Sequence, residues 1–255
     1  MLRLNHLDGL GVRFAEGFRV FFDPSVLSSM RQDRTGAAAT IPAAVDQPVG
    51  SILNLGTLGG WWTAPSDTAR PILRNAGSVW WLEGSTNRII QNLTADLLTG
   101  VLGWTMFQAL RFDVGGTTHR VQRVDGGGGA ARAELLINAS NQYRANVRRL
   151  DADTQRNAIS TALTVGANVT LITRMDHGTV NLQNFVNGVL NGSGSGGNLT
   201  AGNSDTTGGA HFGMAAAGPT NGLQGRMYAW GLTETALSDT DIAALHTLLA
   251  GKMAP

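Results

Sequence analysis

The sequence predicts an all-β protein, a two-sheet antiparallel jelly-roll sandwich that ends in one short C-terminal helix. Short strand-like segments recur along the chain, about a dozen in number. Turns rich in the chain's 34 glycines separate them. The final segment has helical rather than strand periodicity. Because the pattern shows no internal repeat and no second domain, we expect one domain over residues 18–255, preceded by an N-terminal arm at residues 1–17.

Alternation of apolar and polar residues locates the strands and two of the hairpins. In segment 142–150, Tyr143, Ala145 and Val147 alternate with polar residues, the pattern of a half-exposed strand. Asn187-Gly188 is the strongest hairpin signal, because a type I′ turn needs positive φ at both central residues. The predicted strands are 18–22, 51–55, 78–84, 103–112, 119–124, 131–139, 142–150, 168–175, 178–186, 210–215 and 225–232.

The C-terminal helix is predicted from its cap and its apolar stripe. Ser238 occupies the N-cap position, and Asp241 follows three residues later, as in a capping box. Leu237 and Ile242 are placed to form a hydrophobic staple across the cap. Leucines continue the stripe at helical spacing up to Gly251, where we expect the helix to end.

Composition excludes several classes of protein. Lys and Arg total 19 and Asp and Glu total 18, so the net charge of +1 favours neither nucleic acid nor a membrane surface as partner. Charged residues make up 15% of the chain, against about 25% in typical globular domains. The chain has no cysteine, so stability must come from packing or assembly. Residues 1–6 lack the apolar region of a signal peptide, and we expect synthesis in a cytoplasm.

The two ends of the chain carry recognisable motifs. The C-terminal end has a Gly-Arg-(apolar) strand at 225–227 and an (apolar)-Ser-(acidic)-x-(acidic)-Ile-x-x-Leu helix at 237–245. This ending resembles that of concanavalin A-like jelly rolls of the laminin-G type. The N-terminal motifs are Asp23-Pro24-Ser25, Gln32-Asp33, Gly36, Gln47-Pro48-Val49-Gly50 and Arg70-Pro71. In this order they resemble the start of laminin-G-like proteins of tailed-phage virions, although Asp46 replaces the usual Gly.

This resemblance implies a non-enzymatic structural component of a tailed-phage virion, such as a head decoration, fibre or tail-accessory subunit. Its partners would be other virion proteins and host-surface glycans, and we expect a homo-oligomer in the particle. The localisation implied is the virion, after synthesis in the bacterial host. The alternative is a lectin-like carbohydrate-binding module, and a glycoside hydrolase is a third and less favoured function.

Two tryptophan pairs are the candidate glycan- or partner-binding residues, Trp61-Trp62 and Trp80-Trp81. Sugars stack on exposed indole rings, and adjacent residues of a strand face opposite sides. One tryptophan of each pair is therefore expected in the core and the other at the surface, where a subunit contact is an alternative to sugar. Glu83 follows the second pair and is the one candidate acid for a sugar cleft, unless it simply faces solvent at the end of its strand.

No other catalytic or metal-binding constellation is evident. The remaining glutamates, Glu16, Glu134 and Glu234, do not form the Glu-x-Asp-x-x-Glu motif of laminarinase-type enzymes. The chain lacks cysteine and a Gly-x-Ser-x-Gly elbow, which argues against a nucleophilic hydrolase. The five histidines are scattered, which argues against zinc. No cofactor is predicted, but the family resemblance allows calcium at the rim of the sandwich, with the loop residues Asp23, Asp33 and Asp205 as candidate ligands.

Overall fold

The computed structural model describes residues 17–36, 44–85, 87–94, 96–125, 132–204, 210–212 and 221–254. Two antiparallel sheets face each other, and one α-helix closes the chain. This architecture confirms the predicted all-β sandwich with a C-terminal helix. The arm predicted at residues 1–17 lies outside the described residues apart from Gly17, so the domain boundary stays a prediction.

Within the described residues, sheet I has eight strands and sheet II has nine. The strands of sheet I are β1 (Val20–Phe22), β5 (Ile72–Ala76), β6 (Val79–Gly84), β8 (Gly103–Phe112), β13 (Asn168–Asp176), β14 (Asn181–Val186), β15 (Val189–Ser193) and β17 (Gly225–Thr233). The strands of sheet II are β2 (Met30–Arg31), β3 (Ser51–Leu53), β4 (Trp61–Thr63), β7 (Ile90–Asn92), β9 (His119–Asp125), β10 (Arg132–Ile137), β11 (Gln142–Arg148), β12 (Arg156–Ala162) and β16 (Ala210–Phe212).

Strand order mixes near and distant parts of the chain. Sheet I runs β15-β14-β13-β8-β17-β6-β5, and β1 pairs with β17 beyond the end of β6. Sheet II runs β12-β11-β10-β9-β16-β7-β4-β3-β2. The predicted hairpins are present, and Asn187 and Gly188 adopt φ of 51° and 76°, as the type I′ turn requires. Strand β15 follows this turn and pairs with β14 as far as Ser193.

The main hydrophobic core lies between the sheets, and a series of hydrogen-bonded polar side chains crosses it. Tyr143 of β11 is fully buried and connects three hydrogen-bonding groups of sheet I. Gln108 Nε2 donates to its hydroxyl at 3.0 Å, and that hydroxyl lies 2.7 Å from Thr173 Oγ1. Thr173 donates in turn to Asn184 Oδ1 at 2.7 Å, and Asn184 Nδ2 donates to the Ala158 carbonyl at 2.9 Å. These directional bonds fix the register between two sheets that otherwise touch through apolar side chains.

Helix α1 (Asp239–Gly251) covers the outer face of sheet I. Ser238 caps it as predicted, since its hydroxyl accepts from the Asp241 amide at 3.2 Å. Ile242 and Leu245 belong to a second apolar cluster with Phe107 and Ile172 from the sheet. The helix therefore shields strands β8 and β13. Among the described residues no helix has the length and apolarity to cross a membrane.

The motif residues at the start of the domain have folding roles. The Asp23 carboxylate, 3% exposed, accepts from the amide and hydroxyl of Ser25 and from Lys252 Nζ after the helix. A Cβ on Gly50 would lie 2.3 Å from the Asp33 backbone, so this position admits only glycine. These contacts tie the N-terminal loops to sheet II and to the C-terminus.

Candidate functional site

The structure separates the four predicted tryptophans. Trp62 has no exposed surface and packs edge-on against Phe22, 5.3 Å between ring centroids, so it belongs to the core and presents no ring face to a ligand. Trp61 is half-buried on the outer face of sheet II, where the Arg31 guanidinium lies 5.1 Å from its ring centroid. Trp80 packs against the inter-sheet core, and Trp81 lies on the outer face of sheet I.

Trp81 and Glu83 lie on the same side of β6 and line a groove of about 340 Å³ on sheet I. We call it the β6–β17 groove. The strands β5, β6 and β17, together with the end of β8, form its walls. Its lining comprises Arg74, Trp81, Glu83, Gly84, Ser85, Asp113, Gln224, Gly225 and Arg226.

A pair of glycines lies in the lining of the groove, where β6 meets β17. Gly84 of β6 and Gly225 of β17 are register partners, so neither strand places a side chain at that position. A Cβ on Gly225 would lie 2.0 Å from the Arg111 carbonyl, and one on Gly84 would lie 2.2 Å from the Leu223 carbonyl. Close approach of the backbones therefore requires both glycines.

The floor of the groove is a stack of planar groups. The Arg226 guanidinium lies 4.6 Å from the centroid of the Trp81 ring, and Tyr228 packs 6.1 Å from the same ring. Trp81 is 8% exposed, because Arg226 occupies one face and Tyr228 lies beside it. Burial raises the pKa of Tyr228, so its hydroxyl stays neutral and donates to Asn168 Oδ1 at 3.0 Å. These contacts hold the ring in one orientation.

Charged side chains form the rim. Glu83 accepts from Arg74 Nε at 2.6 Å, and Arg88 NH1 lies 3.5 Å from its other oxygen. Asp113 accepts from Arg111 Nε at 2.5 Å. Arg74 also donates to Asp46, and the hydrogen bonds to Asp46 and then Glu83 raise the pKa of Arg74. The groove thus offers hydrogen-bond acceptors and donors, and Gln224 adds an amide group to its lining.

The groove contains two carboxylates, the number that glycoside hydrolysis requires. One carboxyl group in such an enzyme must deliver a proton to the leaving oxygen. Glu83 and Asp113 instead both accept hydrogen bonds from arginines. Their arrangement suits orientation of a polar molecule better than proton transfer.

The described calcium candidates are used in local turns. Asp33 accepts from the amide and hydroxyl of Thr35, and these hydrogen bonds lower the pKa of its carboxyl group. Asp23 is occupied by Ser25 and Lys252 as stated above. Asp205 and Glu16 lie outside the described residues. Among those described, no three acidic or histidine side chains are grouped as a metal site would require.

Sequence reasoning did not identify Arg74, Asp113 and Gln224 as members of a site. Trp81 and Glu83 carry a local signal, since residues two apart on a strand share a face. Asp113 and Gln224 have no such signal, because only the register of β17 with β6 and β8 brings them to this groove.

Comparisons with known proteins bear on the fold. No protein-family model matches the chain, and none of the curated proteins matches it. Among solved structures, the botulinum neurotoxin serotype G binding domain aligns with a TM-score of 0.51 and 10% identity, over 86% of this chain and 50% of that chain. The likeness shows a shared fold.

Two further structures align less well. The CBM40 domain of the Ruminococcus gnavus IT-sialidase, bound to α2,3-sialyllactose, has a TM-score of 0.46 and 13% identity, over 64% of this chain and 99% of that chain. The heptameric SAP-like pentraxin of Limulus polyphemus has a TM-score of 0.45 and 10% identity, over 63% of this chain and 77% of that chain.

Proposed function

We propose that the domain is a non-catalytic, lectin-like module that binds glycans in the β6–β17 groove. The observation that carries the proposal is the joint lining of this groove by Trp81, two carboxylates, an amide and arginines. Binding sites for small polar molecules combine an apolar surface with a few fixed polar groups. Sugars present such a combination themselves, with C–H faces and hydroxyl groups.

Each part of the groove has a role in this proposal. The Arg226 guanidinium, stacked on the Trp81 ring, forms a planar platform for the apolar face of a sugar ring. Glu83 and Asp113 accept hydrogen bonds from sugar hydroxyls, and Gln224 both donates and accepts. Because Arg74 and Arg111 hold the two carboxylates in place, little side-chain freedom is lost on binding. Trp61 and Trp80 remain predicted contact residues outside this groove.

A glycan array followed by calorimetry with the best ligand tests the proposal. Glu83→Gln and Gln224→Ala should each weaken binding about tenfold, since each removes about 1.4 kcal/mol of hydrogen bonding. Glu234→Gln is the matched control, because Glu234 pairs with Arg19 and does not line the groove. A blank array, or binding that Glu83→Gln and Gln224→Ala leave unchanged, would refute glycan binding in this groove.

Turnover is measured in the same samples. A non-catalytic module releases no reducing ends from the glycan that it binds. Release of sugar by the wild-type protein that Glu83→Gln abolishes would identify a glycoside hydrolase instead, with Glu83 as its acid.

A second candidate function, which the motif resemblance favours, is that of a structural subunit of a tailed-phage virion. The relevant motifs are Asp23-Pro24-Ser25 and Gln47-Pro48-Val49-Gly50. In this proposal the module is an oligomeric decoration, fibre or tail-accessory subunit, and the groove binds a host-surface glycan. Co-sedimentation of the protein with purified particles and its presence in their proteome are the expected results. Its absence from particles would remove the virion assignment and leave the glycan proposal untouched.

A further inference from the structure

The charged residues at the β6–β17 groove differ in the partners of their side chains. Those that the structure describes in its lining and rim are Arg74, Arg88, Arg111, Arg226, Asp46, Glu83 and Asp113. Ion pairs connect the three carboxylates to Arg74, Arg88 and Arg111. Arg226 takes part in none of these pairs, so its positive charge is not offset at ion-pair distance by a carboxylate of the described residues.

The guanidinium group of Arg226 contacts two neutral groups instead. Its centre lies 4.6 Å from the centroid of the Trp81 ring, and it also acts on the hydroxyl group of Tyr228. Burial raises the pKa of Tyr228, and the charge of Arg226 and a hydrogen bond from it oppose this rise. An indole ring and a neutral hydroxyl group orient a guanidinium without neutralising its charge. A guanidinium has more N–H donors than these contacts use, so donors remain for a ligand.

Both residues beside Arg226 in the sheet are engaged with other partners. In the register, Glu83 of β6 and Arg111 of β8 lie on either side of Arg226. Glu83 accepts from Arg74 Nε at 2.6 Å, and Arg111 Nε donates to Asp113 at 2.5 Å. An anionic ligand that reaches Arg226 therefore meets carboxylates whose negative charge is already offset by arginines.

From these contacts we propose that the groove selects glycans whose sugars carry a carboxylate, and that Arg226 binds this carboxylate. The inference rests on the glycan binding proposed above and specifies the class of sugar. One face of the guanidinium lies against Trp81, whereas its N–H donors point outward in the plane of the group. Paired donors of this kind match the two oxygens of a carboxylate. A hexuronate unit offers such a carboxylate together with hydroxyl groups that can donate to Glu83 and Asp113.

Arg74 is less suited to this role than Arg226. Its Nε donates to Glu83, and a second nitrogen donates to Asp46. A ligand carboxylate would have to displace one of these partners and break a charge-assisted hydrogen bond. At Arg226 the carboxylate adds such bonds without breaking an ion pair. Because a hydrogen bond with a charged partner is roughly twice as strong as one between neutral groups, a carboxylated sugar should bind more tightly than its uncharged counterpart.

Calorimetry with pairs of matched ligands tests the proposal. Galacturonate and glucuronate trimers are each compared with their methyl esters, which keep the sugar rings and lose the negative charge. We expect at least one acid to bind at least about tenfold more tightly than its ester, a difference of about 1.4 kcal/mol. The difference should shrink as salt is raised, because salt screens the attraction between partly exposed charges.

Variants connect this preference to Arg226. Arg226→Gln removes the charge and keeps a planar amide group, so acid and ester should bind to it with nearly equal affinity. Arg226→Lys keeps the charge and loses the paired donors, so its preference for the acid should be intermediate. The lysine variant also keeps the test valid if the glutamine variant fails to fold. Arg34→Gln is the matched control, because Arg34 pairs with Asp67 away from the groove, and this variant should retain the full preference.

Two results would overturn the role of Arg226. They are esters that bind to the wild type as tightly as the acids, and a preference for the acids that both Arg226 variants retain in full. If Arg226→Gln weakens the binding of acid and ester equally, the guanidinium serves only as the platform on Trp81.

Failure of this inference is distinguishable from failure of glycan binding itself. Binding of neutral glycans that Glu83→Gln weakens, without a preference for acids, would leave the groove as a glycan site and remove only the selectivity. Absence of binding to every sugar tested would remove both.

Discussion

The buried chain of hydrogen bonds through Tyr143 makes a sharp prediction about stability. Tyr143→Phe keeps the ring and removes only the hydroxyl, which lies 3.0 Å from Gln108 Nε2 and 2.7 Å from Thr173 Oγ1. Both partners are fully buried, so no water can replace the lost group without local opening. Each stranded polar group costs about 1–3 kcal/mol. We therefore expect the free energy of unfolding to fall by about 2–4 kcal/mol.

The assay is equilibrium unfolding in urea, followed by tryptophan fluorescence. The midpoint should fall while the slope stays constant, because the area exposed on unfolding does not change. Tyr228→Phe is the matched control: its hydroxyl bonds to Asn168, which is exposed, so water can replace it. We expect that control to cost less than about 1 kcal/mol.

A double variant separates the network from packing. Adding Gln108→Met to Tyr143→Phe removes the amide that the first change leaves without a partner. The double variant should therefore lower the free energy of unfolding by less than the sum of the two single variants. The reasoning is refuted if Tyr143→Phe costs no more than Tyr228→Phe, or if the double variant is simply additive. Either result would mean that the polar chain contributes nothing beyond the ring itself.

Three further predictions concern a buried histidine, a glycine in a turn and the cap of the helix. Burial and then Arg149 lower the pKa of His177 to about 4, so the folded state resists protonation and stability is lost as pH falls from about 6.5 to 4. Urea titrations at different pH values should show the free energy of unfolding falling by up to about 3 kcal/mol over this range, and His177→Leu should remove most of this pH dependence. A pH dependence that is the same in His177→Leu and the wild type would contradict the role of His177. Gly188→Ala should cost at least about 1–2 kcal/mol in thermal unfolding, because φ is +76° and a Cβ would lie 2.8 Å from the His246 ring. Ser238→Ala should cost about 1 kcal/mol by the same assay, and a neutral result would show that the cap is dispensable.

Strands with strong periodicity were predictable from the sequence, and short paired strands were not. The ten residues of β8 form a largely apolar run, and the prediction and the structure agree on 103–112. Strand β4 has three residues, and its existence depends on β3 and β7, of which β7 lies almost thirty residues away. Strand β12 was missed because its sequence is mainly polar and only Ala158 reaches the core.

The site was predictable only where its residues are neighbours in the chain. Trp81 and Glu83 share a face of one strand and could be grouped from their spacing. The opposite wall of the groove comes from Asp113 and Gln224, more than a hundred residues apart, which meet through the hydrogen bond from the Asp113 amide to the Gln224 carbonyl. Long-range register of this kind has no local signature, because it depends on which strands β17 pairs with.

The motifs that suggested a virion protein have structural explanations in this chain. Asp23 binds Ser25 and Lys252, and Lys252 is the only lysine in the sequence, so the motif joins the first strand to the end of the helix. Gly50 permits a backbone contact that any side chain would block. A motif under such constraints accompanies the scaffold wherever the scaffold is used. A particular use must therefore be encoded by residues that have no such folding role.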